Sequence, residues 1–417
     1  MKLRDEVFNI LISILNKYNY CILRNFENLP EYENDIDILI EKDNKYTIID
    51  ELTNSLLSIG VEKLQRVEFS CTAVFYYDNT LDQFIHIDFY DSLKWKVFEY
   101  LDAKLVLETR IKYKNFYIPN NIYNFYEMLL TRLIYQGKVK ENYKDKLFKL
   151  SLCINNDELI NNIDYIDLVR EKKWEEIEKS INKIRIKIII NNILNPKRLY
   201  INIHSFLKRS FDRLLYPPGL FIVLYGVDGS GKSTQIKLLY NEYKSLYSDK
   251  IKLFHFRPNI LYKIPKDIIV NDPHAQKRSN YIRKLIKLLY YVIIYNWGYI
   301  TQILPILARN GMVIFDRYYF DMIIDPKRYR MIGFENYVNF FAKFIPGPDI
   351  NFCLIADPQN ILERKSEINI DEINLQQNKL EKLFLKKNSY IVNTNENFYK
   401  TLHEIKKIII DYVRKKI

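Results

Sequence analysis

PPGLFIVLYGVDGSGKSTQIKLL, residues 217–239, decides how the second half of this 417-residue chain folds. Pro217-Pro218-Gly219 makes a turn, 220–225 is an apolar, β-rich run, a glycine loop follows, and helical periodicity starts at Lys232. Four of the ten glycines, Gly219, Gly226, Gly229 and Gly231, fall in this short stretch. Gly226-Val227-Asp228-Gly229-Ser230-Gly231-Lys232-Ser233 satisfies GxxxxGK[ST] between a buried strand and a helix. Backbone N–H groups at a helix start can cradle phosphate oxygens, Lys232 can neutralise them, and the Ser233 hydroxyl can hold Mg²⁺. Gly226, Asp228, Gly229, Ser230, Gly231, Lys232, Ser233 and Thr234 are therefore the nucleotide-binding candidates.

Outward from the loop, IKLFHF (251–256), MVIFD (312–316), DINFCLIA (349–356) and SYIVNT (389–394) are short apolar runs separated by helix-length segments. Such alternation predicts βαβ units, a parallel sheet and one α/β domain over 216–417. The stretch 397–416 reads as its last helix, with Arg414, Lys415 and Lys416 at the end that the helix dipole favours for cations.

GVDGSGKSTQ resembles the P-loop of the thymidylate kinase family, and Asp316-Arg317-Tyr318 resembles that family's aspartate-arginine-aromatic motif at a strand end. The resemblance implies a five-stranded sheet of order 2-3-1-4-5, ATP and Mg²⁺ as cofactors, Asp316 at the Mg²⁺–phosphate cluster, and Arg317 on the transferring or acceptor phosphate. An ion pair at a strand end is the alternative for Asp316 and Arg317. Arg257-Pro258 resembles the family's acceptor-loop motif, and Arg364-Lys365-x-Glu367 resembles its lid, where a solvated mixed-charge helix would read the same. On this resemblance the catalytic set is Lys232, Asp316, Arg317 and Arg364, with Ser233 and Asp316 as the Mg²⁺ ligands.

Thymidylate kinases follow the aromatic with a serine and an Ala-Tyr-Gln group; this chain has Tyr319-Phe320-Asp321, then Asp325-Pro326-Lys327-Arg328-Tyr329-Arg330. A different acceptor is expected. Arg257, Tyr318, Asp321, Arg328 and Arg330 are the acceptor-binding candidates; arginines that grip an anion and carboxylates that accept from hydroxyls suit a sugar or sugar phosphate. An ion-pair network is the competing reading of the same charges.

In the first 119 residues, 4–18 and 44–58 read as helices, and YCILR (20–24), IDILI (36–40), VEKLQRVEF (61–69), TAVFYY (72–77) and FIHIDFY (84–90) as strands, giving a small α+β domain. Asp35 and Asp37 share one strand face, and Asp88 from another strand can complete a two-metal cluster. This resembles the nucleotidyltransferase superfamily, where such a triad holds Mg²⁺ and a nucleoside triphosphate. Where that family has a hydrophobic-Gly-Ser motif, this chain has Leu23-Arg24-Asn25, so an active enzyme, a degenerate scaffold and an unrelated fold all stay open. Asp91 and His86 are candidate supporting residues or plain surface polar groups.

Residues 120–215 read as a helical middle segment, broken at Pro196. From Lys179 to Arg213 nine basic residues face one acid, Asp212, with isoleucines and leucines between them. This suits an anionic membrane surface or nucleic acid, or a solvated face packing its isoleucines on a neighbour. Residues 288–308 carry no charge and are long enough to span a bilayer, but Asn296, Gly298, Gln302 and Pro305 interrupt them directly before the strand bearing Asp316. A core helix with a homodimer contact, as the kinase resemblance implies, is the expectation.

With 48% apolar and 15% aromatic residues the chain is no disordered polypeptide, and its net charge of +12 favours anionic partners. Cys21, Cys71, Cys153 and Cys353 are scattered, no apolar signal opens the chain, and the five histidines lack zinc spacing, which together suggest a reduced, cytosolic protein. The expected function is phosphoryl transfer from Mg-ATP to a small-molecule acceptor. The alternatives are a non-catalytic NTP-binding regulator and a nucleotidyltransferase acting from the N-terminal domain, on nucleic acid if the basic segment binds it.

Overall fold

The computed structural model describes residues 2–31, 35–79, 82–154, 165–247, 250–258, 280–364, 369–384 and 388–416. The chain divides into two compact units, one reaching to Ser210 and the other Phe211–Lys416.

In the first unit β1 (Tyr20–Ile22), β2 (Ile36–Ile40), β3 (Val61–Glu68), β4 (Thr72–Asp78) and β5 (Gln83–Tyr90) form one sheet of order β1-β2-β5-β4-β3. Only β2 and β5 run parallel, with Asp37 opposite Asp88; the other neighbours are antiparallel. Helices Lys2–Leu15 and Lys45–Leu57 share a core with the sheet, formed by residues such as Leu11, Ile38, Ile48, Leu52 and Val74. Two hairpins lie where no strand was expected: β6 (Leu93–Trp95) with β7 (Phe98–Leu101), and β8 (Ile111–Tyr113) with β9 (Phe116–Ile118). Helices Asn121–Gln136, Glu141–Leu152 and Ile181–Ile193 build a second core in this unit around Phe125, Leu129, Leu133 and Leu147.

The second unit holds β10 (Leu220–Gly226), β11 (Ile251–His255), β12 (Met312–Asp316), β13 (Ile350–Ile355) and β14 (Ser389–Asn393). Every neighbouring pair is parallel and the order is β11-β12-β10-β13-β14, the predicted 2-3-1-4-5. All of β10 is buried, as a central parallel strand covered on both faces must be, which is why its sequence is a continuous apolar run.

The uncharged run before β12 is a helix Tyr281–Gly298, a π-helical turn Tyr299–Ile303 and a short helix Leu304–Leu307. Among the described residues no helix is long and apolar enough to cross a membrane. One face of this run lies in the core and the other does not: Leu288, Tyr291, Ile294 and Tyr295 are buried, while Leu289, Ile293, Trp297 and Ile300 are exposed. An apolar run with helical period has two faces, and the sheet can cover only one.

Candidate functional site at the carboxyl edge of the parallel sheet

The loop after β10 passes so close to β13 that only glycine fits at its start. A Cβ on Gly226 would lie 2.7 Å from the Leu354 carbonyl oxygen and collide with the Ser230 hydroxyl. Gly229 and Gly231 take φ of 92° and 85°, the left-handed region that glycine enters without steric cost. The loop then opens the helix Lys232–Tyr247. From the end of β14, the Thr394 hydroxyl donates to the Ser230 carbonyl at 3.0 Å, tying the loop down; sequence reasoning missed this residue because a lone threonine after a strand carries no signal.

Lys232 is 6% exposed, and its ammonium donates to the Gly226 and Val227 carbonyls at 2.7 and 2.8 Å. Burial, with Arg317 nearby, pushes its pKa down to about 8 against the pull of Asp228 and Asp316. Ser233 is exposed and Thr234 half-buried on that same first turn.

β12 lies beside β10, with Asp316 opposite Leu224. Burial raises the Asp316 carboxyl, but the hydrogen bond with His255 at 3.3 Å and the charges of Lys232 and Arg317 outweigh it and hold the group below the usual carboxylate range. Its other oxygen, Oδ1, is buried without a hydrogen-bond partner. A half-buried, ionised carboxylate with an orphaned oxygen, and an exposed Ser233 hydroxyl on the first turn after the loop, are donor types that fit a hard divalent cation such as Mg²⁺.

Arg317 takes φ of 65°, which is costly for a residue with a Cβ, and bonds Asp228 of the loop while lying 3.5 Å from Asp321. Arg328 donates to the other Asp228 oxygen at 2.5 Å and lies 3.3 Å from Asp325. Both arginines thus converge on the loop aspartate. Burial lowers Arg317's hold on its proton, but Asp321 and Asp228 more than reverse this and the guanidinium stays charged.

Two acceptor candidates are corrected. Tyr318 is buried against Phe221, Tyr295 and Phe315, and its hydroxyl donates to the Pro346 carbonyl at 2.9 Å, because the aromatic after the arginine turns back into the core. Asp321 is also buried, the hydroxyl whose hydrogen bond it accepts is that of Tyr329 at 2.7 Å, and it lies beside Arg317. Arg257 is half-buried and Arg330 exposed; each follows in sequence one ring of the Phe256–Tyr329 stack, whose centroids are 4.4 Å apart. Sequence reasoning missed Lys287, which donates to the Tyr329 carbonyl at 2.8 Å. Burial, followed by the like charges of Arg330 and Arg257, pushes its pKa down to about 8. Arg364 donates to the Thr394 carbonyl at 3.3 Å; Lys365 and Glu367 lie outside the described residues.

In the first unit, ligand oxygens of Asp35, Asp37 and Asp88 lie within 4.8 Å of one another, as the shared strand face and the parallel register require. A cation of the chain's own is already there. Arg24 donates to Asp37 at 2.8 Å and to the Tyr90 hydroxyl at 3.1 Å, and lies 3.7 Å from the buried Glu127. His86 meets Asp88 at 2.9 Å, and Asp91 is held by Lys45 at 2.8 Å. Burial and the neighbouring Asp37 raise the Asp35 carboxyl to about 6.

Residues 224–411 match the family model described as thymidylate kinase. A thymidylate kinase of Thermosipho africanus is 29% identical over 202 residues, covering 46% of this chain and 97% of that protein. One from Mycoplasmoides gallisepticum is 27% identical over 161 residues, covering 36% and 69%. Among solved structures, the thymidylate kinase of Ehrlichia chaffeensis aligns at 18% identity over 46% of this chain and 98% of its own, with a TM-score of 0.33. That of Candida albicans aligns at 21% identity over 48% and 93%, with a TM-score of 0.36. The family match leaves residues 1–223 outside it, so the nucleotidyltransferase resemblance of the first unit gains no support there. With the glycine loop, the 2-3-1-4-5 sheet and the family match all on the same stretch, the C-terminal half of this chain is a thymidylate kinase-like domain of the P-loop kinase class.

Proposed function

We propose that the C-terminal unit transfers the γ-phosphoryl group of Mg-ATP to a small anionic acceptor that is not thymidylate, with a sugar phosphate as the best chemical fit. The observation that carries the transfer is the convergence of the glycine loop, Lys232 and Asp316 on the carboxyl edge of the parallel sheet, where ligands of open α/β sheets bind. Ser233 and Asp316 would hold the Mg²⁺, which when bound neutralises charge on the phosphates. Lys232 leaves its loop carbonyls for phosphate oxygens, and Arg317, already charged and positioned by Asp228 and Asp321, faces the charge that develops on the moving phosphoryl group.

The acceptor reading rests on Arg257, Lys287 and Arg330. Lys287 is held near Tyr329 with its ammonium disfavoured by burial and by two like charges, and an anionic group between the three cations relieves that repulsion. Asp228 accepts from Arg317 and Arg328, and Asp325, buried like Asp321, lies 3.3 Å from Arg328, so these carboxylates hold the arginines in place. An ATP-consumption screen of purified protein against nucleoside monophosphates, sugars and sugar phosphates tests this. Turnover with a sugar phosphate is expected, and efficient phosphorylation of thymidylate (~10⁴ M⁻¹s⁻¹ or more) overturns the acceptor assignment.

For the first unit the reading is a nucleotidyltransferase-like scaffold that has lost catalysis. Arg24 stands where a glycine would let phosphate approach, and its charge satisfies Asp37. Incorporation of labelled nucleotide into any acceptor, abolished by Asp88→Asn, would restore the active reading. A homodimer through the exposed face of Tyr281–Gly298 completes the proposal: Ile282, Ile286, Leu289, Ile293 and Trp297 recur at intervals of three and four. Sedimentation of the wild type as a monomer at micromolar concentration would remove it.

A further inference from the structure

The basic segment of the sequence is not used by the kinase site, and its largest element is the helix Pro196–Leu215. Among the described residues of this helix only Asn202 is buried. Tyr200, Ile203 and Leu207 lie on one line along it, and Phe211 and Leu214 continue the same spacing of three and four. These are exposed side chains, Tyr200 at 70% and Leu207 at 59%, so the apolar stripe is no core face.

The charges are arranged around the stripe. At 3.6 residues per turn, Lys197 and Lys208 fall about 60–80° from Tyr200, at the stripe's margin, and both are exposed. Arg198 falls roughly 160° away and is bound to Glu99 of β7, which fixes the opposite side of the helix toward its own unit. The apolar stripe therefore points outward with lysines along one edge. Five basic residues and one acid, Asp212, occupy the helix.

We propose that this helix docks on an anionic lipid bilayer, lying in the interface with Tyr200, Ile203 and Leu207 among the acyl chains and Lys197 and Lys208 at the headgroups. An apolar stripe with cationic margins is complementary to a surface that is apolar below and anionic above. A nucleic acid would need the cations at the centre of the face, where this helix is apolar. A second copy of the helix would bring one lysine edge against another. The helix is too polar to cross a bilayer and so lies along it.

Flotation of the full-length protein with vesicles tests the proposal, using phosphatidylcholine alone and phosphatidylcholine with about one third phosphatidylglycerol. Binding is expected to the anionic vesicles, weakened by salt, and reduced by about tenfold or more both in Ile203→Glu/Leu207→Glu and in Lys197→Glu/Lys208→Glu. Circular dichroism and thermal unfolding establish that each variant is folded; should the apolar pair fail, the exposed lysine pair decides alone. Absence of vesicle binding, or binding that both variants retain, overturns the proposal. RNA binding without vesicle binding, or a dimer dispersed by Ile203→Glu/Leu207→Glu in a protein that ignores vesicles, overturns it too and assigns the face to that partner.

Discussion

The two units each gather carboxylates around a point where a phosphate and a divalent cation could meet, yet they handle the charge in opposite ways. In the C-terminal unit the strand-end Asp316 keeps an unpartnered buried oxygen, and the nearest lysine is held by carbonyls that phosphate can replace. In the N-terminal unit Asp37 is neutralised by Arg24, and Asp88 is in contact with His86. The difference follows from one residue type: glycine after the strand leaves room for a ligand, whereas an arginine in the corresponding place becomes the ligand. A site poised for anions and a site closed by its own cation can thus share the same strand-end carboxylates.

The largest effect should come from reopening the closed site. Arg24→Met strips the cation from between Asp37 and Glu127 and leaves buried carboxylates unpaired, a loss of about 3–5 kcal/mol in denaturant unfolding. The double variant Arg24→Met/Asp37→Asn should recover part of it. A loss below about 1 kcal/mol would mean that the acidic cluster is solvated and open to ions, which would erase the contrast.

Next is the reciprocal change in activity. Asp316→Asn should lower ATP turnover by about 10²–10³, the usual scale for one electrostatic group at a transition state, whereas Asp88→Asn should leave it unaltered. Equal effects of the two substitutions would show that the units do not divide the chemistry as described.

A third, smaller effect concerns pH. Lys287 has a folded pKa pushed down to about 8, below that of an unfolded lysine, so the unfolded chain holds more protons between about pH 8 and 10.5 and this group's contribution to stability rises with pH there. Binding of an anionic acceptor has the opposite sign: it needs the ammonium form, so its KM should climb above about pH 8. Lys287→Gln should flatten that profile and weaken acceptor binding by about 1.5–3 kcal/mol. A KM that is insensitive to pH in the wild type would exclude Lys287 from the acceptor site.

The smallest effect is at Arg364, whose described contact is a single hydrogen bond to the Thr394 carbonyl. Arg364→Ala should cost about 0.5–1.5 kcal/mol of stability. If turnover falls a hundredfold instead, the residue acts on the phosphates as the lid resemblance implies.

What could be read from the amino acids varied with how local the signal was. β10, β12 and β13 were legible because strands covered on both faces must be continuous apolar runs, and the loop was legible because close approach to Leu354 admits only glycine. The convergence of Asp35, Asp37 and Asp88 was legible too, since strand alternation fixes two of them. The hairpins at 93–101 and 111–118 were not, because three- and four-residue strands are too short to show alternation. Nor was the burial of Tyr318, Asp321 and Lys232: a titratable or polar residue beside a motif looks the same whether it faces the ligand or supports its neighbours. Lys287 and Thr394 reach the site from distant segments, and nothing local marks them.

The central claim, that the C-terminal unit moves the γ-phosphoryl group by way of its glycine loop, is tested most directly by multiple-turnover transfer of label from γ-labelled ATP to acceptors. The full-length protein is compared with Lys232→Ala, both verified as folded. The account predicts labelled product in many-fold excess over enzyme for the wild type, and a loss of about 10³-fold or more in the variant, since no other lysine is held against the loop carbonyls to take up the phosphate charge among the described residues. Turnover that Lys232→Ala retains in full would contradict it.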